Sequence, residues 1–588
     1  MSRRPLLAAF AALLAAAATA RADEPKKEAP PVDPTVQAAI RAAVEKAKQE
    51  LRDEMKVEAQ NAQAAAEFMG TVAEGPKLQF LELDGSFRLR GDLFDALGLH
   101  RGIDANGVYL FPRPSISNPD GRGTQTGGNM RLQLEPTLNV SEHVRVRAEL
   151  HLLGNYVLGN SGAATWSGAT PSDRPAVDVR RVWGEVETPV GLLSFGRMPA
   201  AFGLGLVSAN FDGLDDDWGD SKDRLQLAVL PVSTPVGPLS TVLSYDFDTT
   251  GPQQTTGTPQ PTQRQGLGTG QPFAIDPKAD GRSWNLKVMR LDTEDEIRRK
   301  LEQGLASLNW GAVYAYSTQT WAKNANSGVT DAVRAGDAYV HRKEYRHQLD
   351  LWFRYKTTRL LVEAEATGLT GRIGDPGPFS AGQDYLASEQ GPISLLQAGG
   401  AARVAWEAMP HKLTLGGEAG IASGDKAPGM GNNPGQLNTT STAAGSLPDY
   451  GSLEGPQYGR NGDHTIDNLR FNPGYRVDLI LWREILGQVT DAWYLKPSLK
   501  WEVVSGLTYT GALVYSQAIY GSSTPSATSA TSGHRPLGLE VDNSLAYASD
   551  DGFHAWLNYG VLFPLDGFRG AGSLTRAHAL RAGLAIKF

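Results

Sequence analysis

The chain reads as an all-β transmembrane antiparallel barrel of about 18 strands, preceded by an N-terminal periplasmic helix. Three observations predict it. Segments of about ten residues, the length a tilted strand needs to cross a bilayer, alternate apolar and polar side chains from Leu81 to the last residue. Their connections alternate between tight turns and long loops rich in Gly, Pro, Thr and Asn, an asymmetry that a soluble sandwich has no reason to show. The first residues carry an export label, yet no later stretch has about 18 consecutive apolar residues. An exported chain without such a stretch can span a membrane only as a closed barrel, because every backbone N–H and C=O must be paired inside lipid.

The label occupies residues 1–22. Arg3 and Arg4 form a basic start, Leu6 to Ala18 is apolar, and Ala20-Arg21-Ala22 is a small-residue cleavage site. A linker and helix follow over 23–76. Asp33 suits an N-cap, Pro34 the first helical position and Gly70 the stop, giving a helix about 50 Å long. Val36, Ile40, Val44, Leu51 and Met55 make one apolar stripe, which predicts self-association as a coiled coil or packing against the barrel.

The barrel occupies 77–588. In "LELDGSFRLRGDLF", Leu81, Leu83, Phe87, Leu89 and Leu93 share one face, and Glu82, Asp84, Arg88, Arg90 and Asp92 share the other. Eighteen such segments can be counted, an even number, as required when both chain ends lie on one side. The last, "HALRAGLAIKF", should pair with the first and set Arg581 beside Arg88 and Arg90. "DTEDEIRRKLEQG" (Asp292 to Gly304) predicts a short polar helix in place of one periplasmic turn. The stretch from Leu469 to Tyr494 breaks the pattern. Counting "VDLILW" as a strand would make the total odd, so the stretch holds either no crossing or two, and without a crossing 424–490 becomes one insertion from the outer side, either a lid or plug or a floppy outer loop. Val477, Leu481 and Ile485 within it have helical spacing.

In such a barrel the apolar face meets lipid and the polar face lines the lumen. The expected lining comprises Glu82, Asp84, Arg88, Arg90, Arg131, Glu135, Arg145, Arg147, Glu363, Glu365, Arg403, Glu418 and Arg581, with Arg197 as a candidate pore-narrowing residue whose facing stays open because Phe195 shares its parity. Arginine gathers on the first three strands and the last, and Glu363, Glu365 and Glu418 lie about half a turn away. That separation raises two alternatives: a field across a water-filled pore, or charges paired locally along the wall. In "DGLDDDWGDSKDR", Asp212, Asp215, Asp216, Asp217 and Asp220 offer hard oxygen ligands for Ca2+, without matching the EF-hand spacing. The alternative is a solvated acidic loop, or one pairing with lumen arginines.

Other chemistry is narrowed by composition. The 588 residues include no cysteine, which removes disulfides, thiolate metal sites and thiol nucleophiles. A net charge of −8 argues against a nucleic-acid partner. The ten histidines are scattered, with no GxSxG or HExxH motif, so no catalytic residues are expected.

The strand pattern and the terminal Phe588 resemble those of bacterial outer-membrane porins. "LRFNPGYRVDLILWREILGQVTDAWYLKP" and "DDDWGDSKDR" resemble motifs of an uncharacterised family of large myxobacterial outer-membrane barrels. "FGRMPAAFGLG" and the barrel's size are loosely similar to the alginate-export porins. The resemblance implies a location in the bacterial outer membrane and contact with lipid and lipopolysaccharide. It also implies a C-terminal signal at Phe588 read by the barrel-assembly machinery. Two functions are then expected as alternatives: a channel for small hydrophilic solutes, or a structural or surface-binding barrel with a stalk and no open pore.

Overall fold

A computed structural model describes residues 80–588 except 102–122, 159–176, 211–212, 218, 235–236, 250–252, 255–272, 275–280, 321, 324–338, 341–342, 375–391, 427–428, 432–464, 528–530 and 571. The export label, the 23–76 linker and helix with its coiled-coil stripe, and Asp212 lie outside the described residues.

Eighteen strands form the wall. They are β1 (Leu81–Asp95), β2 (Thr124–Ser141), β3 (Val144–His151), β4 (Asp178–Thr188), β5 (Gly191–Pro199) and β6 (Ser221–Thr234). Next come β7 (Gly237–Thr249), β8 (Gly281–Arg290), β9 (Ser307–Gln319), β10 (Glu344–Lys356), β11 (Leu360–Ile373) and β12 (Ile393–Met409). The last six are β13 (Leu413–Ala422), β14 (Ala492–Val504), β15 (Leu507–Ala518), β16 (Pro536–Ala548), β17 (Phe553–Pro564) and β18 (Ala577–Lys587). Each pairs antiparallel with its chain neighbours, and β18 closes on β1. The seam sets Asp92 opposite Arg581 and Arg90 opposite Gly583. Among the described wall strands no sheet edge remains open, so the wall satisfies its own backbone.

Burial inverts the soluble rule. On β1, Arg88 is 0% and Arg90 5% exposed, whereas Leu89 is 37% and Leu83 50% exposed. Leu243, Leu349, Leu499, Leu557 and Ile586 are likewise exposed, so the apolar face points outward all round the wall, as a lipid-covered surface requires. Aromatic side chains join this outer surface. The Tyr314 hydroxyl meets Nδ1 of His347 at 2.7 Å, and the Tyr559 hydroxyl meets Nδ1 of His578 at 3.0 Å, in the manner of an interfacial girdle.

Between β8 and β9 the expected polar helix is present as α1 (Glu294–Glu302). Thr293 caps it, Glu296 returns the bond to the Thr293 N–H, and Ile297 is buried beneath it. The insertion adds no crossing. Its described part makes a two-residue strand at Thr465–Ile466 beside β12 and a π-helical turn at Leu481–Ile485.

Candidate functional site

Two segments fold from one end of the barrel into its interior, and the residues they touch define the candidate site. The first joins β5 to β6 over 200–220. Gly203 (φ +61°) and Gly205 (φ +87°) turn the chain so that three successive N–H groups, of Leu204, Gly205 and Leu206, point at one carboxylate, Glu365 on β11. Gly205 N lies 3.0 Å and Leu206 N 3.2 Å from it. A left-handed turn at this spacing suits glycine, and a Cβ on Gly203 would stand 2.4 Å from the Glu365 Oε2. Phe202 packs edge-on to Trp352 of β10 at 6.5 Å.

The acidic run of this segment then reaches the opposite, basic wall. Arg90 meets Asp217 at 2.8 Å and Asp215 at 3.3 Å. Arg88 donates to the carbonyls of Leu214 (3.1 Å) and Asp216 (2.9 Å), and Arg131 to that of Asp216 (2.6 Å). Arg581 holds Asp92 at 2.9 Å and Glu484 at 2.7 Å. From the insertion, Arg483 meets Asp215 at 3.0 Å, and Arg476 meets Asp215, Asp216 and Asp217 at 3.3–3.4 Å. Six arginines thus surround five carboxylates. Burial alone would raise the Asp215 carboxyl, but Arg483 and Arg476, with Arg581 and Arg90, outweigh it and hold it at about 2. Asp217 is also lowered: burial opposes the shift and Arg90 overcomes it. Burial, then Arg483, lowers the Arg476 guanidinium.

The second segment, 465–491, lies against the other half of the wall. Phe471, Val477, Ile480, Leu481 and Trp482 are almost wholly buried, against Tyr494, Val514, Leu537, Leu562 and Ala579 of β14 to β18. Glu540 of β16 accepts the N–H groups of Leu479 (3.0 Å), Ile480 (2.8 Å) and Leu481 (3.0 Å). Asp478 caps the next turn through Trp482 N at 2.9 Å, and burial, then Asp542, pushes its carboxyl up to about 7. Trp482 Nε1 donates to Ser516 at 2.9 Å. Asn472 ties the two segments together through the Leu206 carbonyl at 2.6 Å and Asp220 at 2.5 Å.

The predicted lining residues occupy several different settings. Arg88, Arg90, Arg131 and Arg581 form the basic cluster. Glu82 accepts from Asn139 at 3.0 Å, while Glu82 and Asp84 are exposed at the start of β1. Gln133 donates to Glu135 at 2.7 Å. Arg145 and Arg147 meet Glu185 at 2.8 and 3.3 Å. Glu363 is fully buried between Arg354 (2.9 Å) and Arg403 (2.6 Å), with Trp352 Nε1 at 2.9 Å. Glu418 accepts from Tyr475 (2.8 Å) and Tyr494 (2.6 Å).

Arg197 does not narrow the lumen as the sequence predicts. It shares its strand face with Phe195, which is 48% exposed, and its side chain turns outward to a paired Asp223 at 2.7 Å. The inward positions of β5 are Leu192, Ser194 and Met198, all buried. Strand parity therefore excludes Arg197 from the lumen.

Asp215, Asp216 and Asp217 are engaged by arginine, and among the described residues no group of three carboxylates or imidazoles is arranged to hold a metal ion. The parts missing from the sequence reading are Arg476, Arg483 and the role of Glu540. Arg483 and Arg476 lie in the irregular stretch, where the strand period assigns no facing.

No family model matches the chain, and no curated protein does. Solved barrels resemble it weakly. They include OccK8 (OprE) of Pseudomonas aeruginosa, 11% identical, with 86% of this chain and 98% of that one covered and a TM-score of 0.42. OpdK of the same organism, solved with vanillate, is 10% identical over 86% and 98%, with a TM-score of 0.40. OmpT, an outer membrane protein of Vibrio cholerae, is 10% identical over 88% and 100%, with a TM-score of 0.30. The fold rests on the chain's own strand pairing.

Proposed function

We propose that the protein is an outer-membrane channel for passive or weakly selective diffusion of small hydrophilic solutes through a charged lumen. The observation that carries this reading is the size and polarity of the wall. Eight strands would fill with their own side chains, whereas sixteen to eighteen leave an aqueous interior. Here the inward-facing Arg403 and Arg354 side chains are 46% and 32% exposed despite their shared Glu363, which supports a remaining wet path beside the two inward segments. The selectivity of such a path would follow the charges along it. Purified protein should give discrete conductance steps in planar bilayers. Neutralising Arg88, Arg90 and Arg145 should shift the reversal potential; unchanged ion selectivity would remove the charged lumen from the proposal.

The apolar packing of 465–491 favours a second reading, a structural or surface-binding barrel without an open pore. Absence of conductance steps would select it. Under either reading the outward belt would meet lipid and lipopolysaccharide. Phe588, whose N–H and C=O pair with Gly85 at 3.0 and 2.8 Å, would be the signal read by the assembly machinery. The N-terminal helix would stand in the periplasm and carry self-association. A calcium ion at Asp215, Asp216 and Asp217 would have to displace the arginines that engage them.

A further inference from the structure

The strand register sets out the outward face of β8 to β11 in rows. At the end that carries the long connections, Arg282, Thr318, Tyr345 and Arg372 stand side by side, one per strand. Two residues deeper the row is Trp284, Tyr316, His347 and Thr370, and below that Leu286, Tyr314, Leu349 and Gly368. Trp284 is 62%, Leu349 47% and Tyr345 40% exposed, and Arg372 is exposed as well. Outward rows lie about 7 Å apart along a strand, so the face passes from charge through rings to aliphatic side chains in two steps. That is the order of headgroup, interface and acyl chain. The rings hold one another in place: His347 has Tyr316 at 4.9 Å, Tyr345 at 5.9 Å and Tyr314 at 6.2 Å, and Tyr245 of β7 packs on Trp284 at 4.6 Å.

Charge sets this face apart. None of the positions in the three rows is acidic, whereas the outward Arg197 of β5 is neutralised by Asp223 at 2.7 Å. At the opposite end of β9 to β11 the outward positions are Leu308, Trp310, Phe353, Tyr355 and Val362, with no cation among them. An arginine on a lipid-facing wall is tolerated at headgroup depth, where an anionic group can meet it. Arg282 and Arg372 are three strand spacings apart, about 14 Å at the backbone, too far for one phosphate to bridge at its backbone span and suited to two anions held apart in one headgroup. We infer that the outward face of β8 to β11 binds lipopolysaccharide through its lipid A, a disaccharide with a phosphate at each end and acyl chains beneath. Arg282 and Arg372 each take one phosphate, because a guanidinium presents paired N–H donors to phosphate oxygens. Thr318 and Tyr345 lie under the sugars between them. The acyl chains descend past the ring row onto Leu286 and Leu349.

The site rests on the outer-membrane location and on the long connections facing outward; it does not require an open pore. The test is native mass spectrometry of the full-length protein, released from detergent micelles after titration with bisphosphorylated lipid A, its monophosphoryl form or phosphatidylglycerol. Each variant is first shown to be folded by its heat-modifiable migration in detergent gels. Wild type should retain bisphosphorylated lipid A. Arg282→Gln and Arg372→Gln should each bind it about tenfold more weakly, the loss of one charge-assisted contact. With the monophosphoryl form one of the two substitutions should lose its effect, because a single phosphate reaches a single arginine. Arg372→Lys keeps the charge without the paired donors and should fall between wild type and Arg372→Gln. Equal retention by wild type and both glutamine variants would overturn the site. So would equal retention of phosphatidylglycerol and lipid A, or a lipid-free dimer as the only species. Conductance of the same samples separates this site from the channel: absence of steps in planar bilayers with lipid A still retained removes the channel and leaves the site standing.

Discussion

The 465–491 segment presents Phe471, Ile480, Leu481 and Trp482 to an apolar lumen wall, whereas the 213–217 run of the other segment presents carbonyls and carboxylates to guanidiniums. The first is a small hydrophobic core built inside a barrel, and salt barely touches such packing. The second is an ionic cluster in which Asp215, Asp216 and Asp217 keep 19–27% of their side-chain surface. Both end on a wall glutamate that accepts three N–H groups, so the anchors match while the packing differs. The comparison teaches that an inward loop can be fixed by either kind of interaction, and that the two should fail under different stresses.

The largest effect should come from the apolar side. Trp482→Ala removes a buried indole and its bond to Ser516, a change that costs about 3–5 kcal/mol in a packed site. The wall ladder is independent of Trp482, so the barrel should still fold. Exchange of amides 465–491 should rise by several orders of magnitude and conductance should increase, with little dependence on salt. Retained protection would mean that the segment is held by its glutamate alone.

The ionic side should respond to pH. The Asp215 carboxyl sits at about 2 in the folded protein, below the ordinary value of about 3.9. A depressed carboxyl contributes stability above its unfolded value and loses it as pH falls through the folded one. The 213–217 run should therefore stay in place at about pH 4 and release as pH approaches 2, read as amide exchange against Asp215→Asn. The variant should already be loose at pH 4. Indistinguishable acid profiles would show that the backbone carbonyls, not the carboxylate, hold the run.

Much of this was legible in the sequence because a period of two is strict along a wall strand. The alternation located all eighteen strands, the seam of β1 with β18, and the inward set of Arg88, Arg90, Glu363, Glu365 and Glu418. Parity alone did not assign Arg197, whose neighbour Phe195 gave the contrary signal. Strand parity also says nothing about what a side chain meets across the lumen. The partnership of Arg90 with Asp217 joins residues more than a hundred positions apart through a loop with no period, and Arg476 and Arg483 lie in another.

A smaller effect should follow where Glu365 holds the 200–220 segment. Gly203→Ala places a Cβ 2.4 Å from the Glu365 carboxylate at a φ of +61°, costing about 1–2 kcal/mol. It should raise exchange at Leu204, Gly205 and Leu206 and leave 479–481 unchanged. A rise at both would mean that the segments are coupled through Asn472, which bonds to Leu206 and Asp220.

The smallest effect tests the outward assignment of Arg197. Its ion pair with Asp223 is largely solvent- or headgroup-facing, the class of pair that contributes about 0–1 kcal/mol. Arg197→Gln should therefore leave single-channel conductance and reversal potential at wild-type values. Asp217→Asn, which leaves six arginines facing four carboxylates, should move the reversal potential toward anions. The contrast uses one charge change on each side of the same wall. If Arg197→Gln shifted selectivity as strongly as Asp217→Asn, Arg197 would have to face the water path, and the parity of β5 would need a bulge between Phe195 and Arg197 that its unbroken register with β6 does not contain.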